Sequence, residues 1–351
     1  MAVEQYGDGL DFTPGVEFHS GILVPGFVNA HSHIELSYLR GAIAEGGGHA
    51  AFAAGMAQMR NAFSEEEQLT SIAEADRTMW QEGVDVVGDI VNGETSFATK
   101  SASPIFYKNF VEVFGLRECN LERQRAVLRY PNSSLTPHST YSVQDAPFRE
   151  MCDCDCDEPL SIHFLETEDE TSLYNGAGSL HEWYSNVGFE CDFLHYGSPA
   201  RRIVECVPKD RGVLLVHNCA ITERDVEVLT KHFSAPLSWV LCPRSNAYIS
   251  GVEPRSVELL RRAGSNINIC IGTDSLASNW SLSMVEELKK FQNIPLVELL
   301  QWATINGAKA LGVDDMYGTL EVGKRSGIVC LSGVELQNFA LADQAQARRI
   351  L

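Results

Sequence analysis

Several histidines and acids of this chain stand at the ends of apolar runs, at spacings that suit a metal ion. His31-Ser32-His33 closes one run, His163 closes another with Glu166 three residues on, His217 closes a third, and Asp274 follows a fourth. His138 sits in a weaker run between them. In an extended chain residues i and i+2 point to the same side, so His31 and His33 can offer two imidazoles to one ion. Imidazole suits Zn2+, and a single Asp ligand is compatible with Zn2+ or Fe2+. Three neutral imidazoles and one carboxylate leave a divalent ion with a net charge of about +1, a setting in which it can lower the pKa of water towards about 7. An H-x-H pair alone is equally well a pair of surface or core histidines. The further groups at successive strand ends turn the balance towards a site.

The elements that must position these groups are short apolar runs at 22–30, 84–91, 110–115, 134–141, 160–165, 213–217, 239–242 and 267–272. They are rich in Val, Ile, Leu and Phe without strict alternation, as strands buried on both faces are. Helical stretches lie between them. Ser64 to Glu67 is a capping box, Leu69, Ile72, Ala73 and Trp80 face one side, and Gly83 closes the helix. Pro295 opens another helix, predicted to run with Leu296, Leu299, Leu300, Ala303 and Leu311 as its stripe up to Gly312. Eight strand–helix alternations predict an α/β fold, a (β/α)8 TIM-type barrel, whose functional groups belong at the C-terminal ends of the strands. Residues 318–333, together with those before Pro25, predict a small β appendage built from the chain ends. The tail 340–351 reads as a short helix. The expected division is 1–24 for the N-terminal part of the appendage, 25–317 for the barrel, and 318–351 for the C-terminal part and tail.

Composition bounds the function classes. The 351 residues carry 27 Lys and Arg against 47 Asp and Glu, a formal net charge of −20, which argues against nucleic-acid binding through phosphates. Hydrophobic residues make up 44%, enough for a large core. No apolar run reaches the length of a membrane span, and Asp8, Asp11 and Glu17 interrupt any secretory signal. Ten scattered cysteines then read as reduced thiols, and the expected location is cytoplasmic. A homo-oligomer is compatible with the sequence, which specifies none.

The motifs resemble a known family. Pro25-Gly26-Phe27-Val28-Asn29-Ala30-His31-Ser32-His33 is similar to the first-strand signature of the amidohydrolase superfamily, and 272–279 (GTDSLASN) to the eighth-strand signature of its cytosine deaminase-like branch. His163-Phe164-Leu165-Glu166 resembles the H-x-x-E element of that branch, and 137–142 (PHSTYS) its P-H-x-x-Y-[ST] element. The resemblance runs from about Gly21 to Gly327. It implies one divalent metal per chain, zinc or else iron, held by His31, His33, His163 and Asp274. It places Glu166 and His217 beside the attacking water. Asp274 or Glu166 then takes a proton, Glu166 protonates the ring nitrogen, and His217 holds the attacking oxygen. His138 is the expected substrate contact.

Other residues have plainer alternatives beside a functional one. Arg244, in Cys242-Pro243-Arg244 after the seventh strand, can meet a substrate carboxylate or a nearby loop acid. Ser278 and Asn279 can shape the pocket or cap the next helix. Glu35 and Arg40 can line the mouth or brace it. The Cys152–Asp157 tract fits no standard zinc pattern and reads as an exposed acidic loop. His19, His49, His181, His195 and His232 have no partner spacing and read as ordinary residues. Gly46-Gly47-Gly48 is a loop, either part of a lid or a linker. Two departures from the family concern the appendage: only thirty residues precede His31, and Gly323-Lys324-Arg325-Ser326-Gly327 stands where relatives tend to have G-K-x-A-D.

The implied function is a metal-dependent deaminase of a purine-like ring, a small nucleoside or heterocycle. The 31–37 stretch (HSHIELS) resembles aminohydrolases acting on 6-aminodeoxyfutalosine, an adenine nucleoside bearing a benzoate, with Arg244 as the benzoate partner. The alternatives are S-adenosylhomocysteine, guanine or an s-triazine as substrate, or a barrel that binds without catalysis.

Overall fold

The computed structural model describes residues 17–153, 157–251, 256–264, 267–291, 293–335 and 337–351. Eight parallel strands form the barrel: β2 (Phe27–Ser32), β3 (Val84–Val91), β4 (Phe106–Val113), β5 (Ser133–Pro137), β6 (Leu160–Phe164), β7 (Val213–His217), β8 (Leu237–Leu241) and β9 (Asn268–Ile271). They pair as two four-stranded halves, β2-β3-β4-β5 and β6-β7-β8-β9. Two parallel bridges close the seams, Ser139 with His163 and Ser32 with Asp274. The seams are therefore made by residues in or beside the metal motif.

Alternation along the buried strands sorts their side chains. Val28, Val86, Ile90, Phe110, Leu214, Val216, Val240 and Cys270 form one cluster with Ala308 and Leu311. Their neighbours Val87, Ile162, Phe164, Leu215, Trp239, Leu241, Ile269 and Ile271 join the larger cluster under the helices. Both sets are apolar because every strand is covered on both sides, which is why the runs lack strict alternation. Gly307 seats on Val28; a Cβ there would lie 2.8 Å from Val28 Cγ1.

The first apolar run is two strands rather than one. β1 (Ile22–Pro25) pairs antiparallel with β10 (Ile328–Glu335), and the chain enters the barrel after Gly26. A Cβ on Gly26 would overlap the Asp85 carboxylate. That carboxylate accepts from Gly327 N (2.8 Å) and from Arg349 (2.7 Å), tying the barrel floor to the appendage. The tail expected to be helical is strand β11 (Ala340–Arg349), paired antiparallel with β10. Four of its five apolar residues are alanine, and register with β10 rather than helical periodicity decides its state. The appendage is thus a three-stranded sheet β1-β10-β11 from the two chain ends. Its N-terminal part, expected over 1–24, lies outside the described residues up to residue 16.

Two helices matter for the site. α1 (Gly48–Met59) begins within the glycine run, and α2 (Glu65–Gln81) follows it. The α2 capping box forms, with Ser64 N donating to Glu67 (2.7 Å) and Glu67 N to Ser64 Oγ (3.3 Å). Its buried face is Ile72, Ala75, Asp76 and Met79; Leu69 is exposed. The helix expected from Pro295 to Gly312 is two, Leu296–Trp302 and Ile305–Ala310. The Ala303 carbonyl accepts from Val28 N at 2.8 Å instead of continuing the helix. Cys152 ends the helix Asp145–Cys152 and is fully buried, so it is not part of an exposed loop; 154–156 lie outside the described residues. Cys119, Cys191, Cys206, Cys219, Cys242, Cys270 and Cys330 are free thiols. No described helix is long and apolar enough to cross a membrane.

Candidate metal and catalytic site

The four groups expected to hold a metal meet at the C-terminal mouth. His31 Nε2 and His33 Nε2 are 3.2 Å apart, and His163 Nε2 is 3.3 Å from His33 Nε2. Asp274 Oδ1 lies 3.4 Å from His33 Nε2 and 3.8 Å from His31 Nε2. A tetrahedral ion with bonds of about 2.0–2.1 Å has ligand-to-ligand edges of roughly 3.3–3.4 Å. The donor set therefore fits such an ion in type and in spacing.

Protonation supports the fit. His163 Nδ1 stands 2.9 Å from the His138 carbonyl, so it carries the proton and leaves Nε2 as a bare lone pair. Burial lowers the pKa of both His31 and His163, with the neighbouring histidines adding to it, so both imidazoles are neutral. Burial would raise Asp274, yet His33, His217 and the hydroxyls of Ser245 and Ser278 hold it below the usual range. Both hydroxyls donate to Oδ2, at 2.6 and 2.7 Å, leaving Oδ1 to face the histidines.

Backbone conformation places these groups. Leu165, His217, Asn218 and Asp274 have φ of 46°, 74°, 59° and 56°. Each follows or ends a barrel strand, and left-handed backbone at a non-glycine residue is strain retained at functional sites. Asn29 staples the closing seam, donating to Thr273 Oγ1 (2.7 Å) and accepting from Thr273 N (3.1 Å). A Cβ on Gly272 would lie 2.8 Å from His31 Cβ, so only glycine lets the two strands approach here.

Glu166 and His217 stand beside the cluster, with Glu166 Oε1 4.0 Å from His217 Nε2. His217 Nδ1 is 2.9 Å from Asn246 Oδ1, which fixes the ring and points Nε2 at the site. Burial would raise Glu166, but His217 and His49 hold its carboxyl well below the usual range. His138 stacks on His163 at 4.7 Å, bonds Ser142 through Nδ1 (2.8 Å), and remains partly exposed. Burial lowers its pKa to about 4, so it is neutral.

The remaining candidates separate. Ser278 braces Asp274; Asn279 donates to the Thr273 carbonyl (3.0 Å) and to Glu287 (2.7 Å), supporting the Asp274 loop, and also lines the cavity beside Arg244. The next helix, Met284–Leu288, has Ser283 at its N-cap. Arg244 donates to Ser281 Oγ (2.9 Å), stands 3.9 Å from the Glu286 carboxylate as the acid alternative expects, and lines a cavity of about 500 Å³ with Glu45, Tyr248, Trp280, Glu286 and Lys289. Glu35 accepts from Asn92 N and Ser96 Oγ, so it braces the loop after β3, and Arg40 is exposed.

Three residues of the site escaped the sequence. His49, read as ordinary, places Nε2 3.2 Å from Glu166 Oε2. Glu112 is buried on β4 with Oε1 unbonded, 3.7 Å from His163 Nδ1. A carboxylate in an otherwise apolar run was its available signal. Glu112, His138 and His163 also cluster closely enough for an ion, but the proton on His163 Nδ1 removes that donor. Glu170 is buried and accepts from Leu165 N (3.0 Å) and Glu166 N (2.7 Å), holding the left-handed turn that carries Glu166.

Comparison with known proteins gives the family and the fold. The profile of the Amidohydrolase family matches residues 22–350. An adenosine deaminase of Helicobacter pylori is 29% identical over 331 residues, covering 88% of this chain and 78% of that protein. The crystal structure of Helicobacter pylori aminofutalosine deaminase in complex with methylthio-coformycin superposes with a TM-score of 0.78 at 27% identity, over 93% of this chain and 83% of that one. An adenosine deaminase from Xanthomonas campestris with bound zinc shares the fold, with a TM-score of 0.69 at 23% identity over 89% and 72% of the two chains. A barrel mouth of this composition, on a chain matched almost end to end, places the protein in the amidohydrolase family.

Proposed function

We propose that this chain is a metal-dependent hydrolytic deaminase that replaces an exocyclic amine on a purine-like ring by oxygen and releases ammonia. The observation that carries the proposal is the convergence of three Nε2 atoms and Asp274 Oδ1 beside Glu166 and His217. In this assignment His31, His33, His163 and Asp274 hold one divalent metal, zinc by donor type, with iron as the alternative. The bound ion supplies acidification of water and stabilisation of negative charge.

The side chains do the rest. Glu166, an ionised carboxylate, takes one water proton and passes it to the ring nitrogen beside the attacked carbon. The attacking oxygen bonds that carbon, oriented by its remaining hydrogen, which it donates to His217 Nε2. The carbon–nitrogen bond to the exocyclic amine then breaks, and the second water proton leaves on ammonia by way of Asp274 or Glu166. Neutral His138 offers Nε2 to the substrate. Ser278→Ala removes one of two hydroxyls on Asp274 Oδ2 and is expected to weaken metal retention about tenfold against a competing chelator; unchanged retention would separate Ser278 from the metal.

The substrate proposed is an adenine nucleoside bearing a carboxylate, of the 6-aminodeoxyfutalosine type. The relatives named for adenosine and aminofutalosine support the ring, and the cavity joining Arg244 to Trp280 and Tyr248 suits an aromatic carboxylate. Ammonia release from adenosine, S-adenosylhomocysteine, guanine and 6-aminodeoxyfutalosine tests this. Arg244→Ala should raise KM for the carboxylated nucleoside about tenfold or more and leave adenosine little changed. No preference for the carboxylate, or no effect of the variant, would exclude this substrate class. Chloride release without ammonia would assign an s-triazine hydrolase instead.

A further inference from the structure

α1 lies over the mouth with little to hold it. None of its residues is buried. It packs through Phe52, Met56 and Met59 on a small cluster of Leu39, Ile43 and Ala277. Gly46 before it and Gly48 at its start have φ of 73° and 76°, and a Cβ at either would meet nothing within 4 Å. Glycine is required there by backbone conformation, as at a hinge, and not by crowding. Gly46 N is pinned to the Tyr248 carbonyl at 2.7 Å, so the loop is anchored just before it turns into the helix. A segment with few buried contacts belongs to the low-stability end of a fold.

His49 stands in the first turn of this helix and reaches across the mouth to Glu166, Nε2 to Oε2 at 3.2 Å. We propose that α1 is a lid, and that His49 is its latch and a positioning residue for Glu166. The two oxygens of Glu166 are then divided: Oε2 is held from the lid, and Oε1 faces His217. Glu170, Glu166 and Asp169 face His49, and together they raise its pKa to about 9, with Glu166 the largest cause. The contact is charge-assisted only while Glu166 is a carboxylate. The lid therefore grips the form of Glu166 that accepts a proton and loosens once the proton has arrived. The kinetic part of the proposal rests on the deaminase assignment; the latch itself does not.

The test combines two readouts on the full-length, metal-loaded protein. Hydrogen–deuterium exchange is followed in the wild type, His49→Ala, His49→Gln and Glu166→Gln. Loss of the latch should speed exchange across Gly48–Met59 about tenfold in His49→Ala, the size of one charge-assisted hydrogen bond. Glu166→Gln should speed it as well, His49→Gln should fall between, and Glu65–Gln81 and the barrel strands should not change. In turnover, His49→Ala should lower kcat about tenfold with KM changed less than threefold, and His49→Gln should recover part of the loss. Exchange in Gly48–Met59 that is the same in all four proteins would overturn the latch. A change in KM alone would overturn the positioning of Glu166. If the wild type turns over no ring, the deaminase assignment fails, and the exchange arm still decides the lid.

Discussion

Glu166→Gln is expected to keep its metal and lose activity by about 10²–10⁴-fold in kcat, because only proton transfer is removed. The substitution is nearly isosteric at a buried position whose backbone is fixed independently. Glu170 holds the turn through Leu165 N and Glu166 N, so the amide enters the same place. Oε1 stands 4.0 Å from His217 Nε2, and neither Glu166 oxygen is among the converging ligand atoms. Metal content by elemental analysis and ammonia release on the best substrate would be measured on the same preparation. Activity near that of the wild type, with metal retained, would show that another group moves the proton.

Asp274→Ala is expected to fail at an earlier step. Its carboxylate is the one anion among the proposed ligands, and it is aimed at the histidines by two hydroxyls on its other oxygen. Removing it would deprive a bound ion of one of its four proposed protein ligands and of its neutralising charge. Metal affinity should fall by at least the 10–100-fold seen when partners of ligands are lost, with turnover falling in step. It also takes from Ser245 and Ser278 the acceptor they share, leaving them with each other at 2.8 Å and Ser278 with Ser275, so the loop loses its brace. Metal content equal to that of the wild type would move Asp274 out of the ligand set.

Much of the architecture was legible because the physics behind it is local. Strands buried on both faces must be apolar throughout, and the eight barrel strands fall within or across the eight runs. His31 and His33 were legible because extended backbone turns i and i+2 to one side. The misreadings share a cause, which is pairing between distant segments. Gly26 ends β1 because Asp85 occupies the space where a side chain would go. Residues 340–349 become a strand because β10 lies beside them, whatever their helical tendency. Thr304 interrupts a regular apolar stripe because the carbonyl before it serves Val28 of β2.

The site shows the same division. The proposed ligands announced themselves by position at strand ends. Their supports did not, because each support depends on contacts made only after folding. Asn29 and Thr273 join across the closing seam, and Ser245 reaches Asp274 from the loop after β8. His49 meets a partner more than a hundred residues away, and no spacing rule links the two. The left-handed residues at Leu165, His217, Asn218 and Asp274 carry side chains that give no warning of positive φ. Strain of this kind is set by the surrounding barrel and is invisible in a residue-by-residue pattern.

In the proposed reaction one metal ion, held by His31, His33, His163 and Asp274, serves a deamination. Its most direct test is metal content by elemental analysis on the purified full chain, with ammonia release assayed before chelation, after it, and after zinc is restored. About one metal per chain is expected, with ammonia released from an adenine nucleoside, lost on chelation and recovered with the metal. A chain that binds no metal, or that releases ammonia equally well after complete removal of the metal, would contradict it.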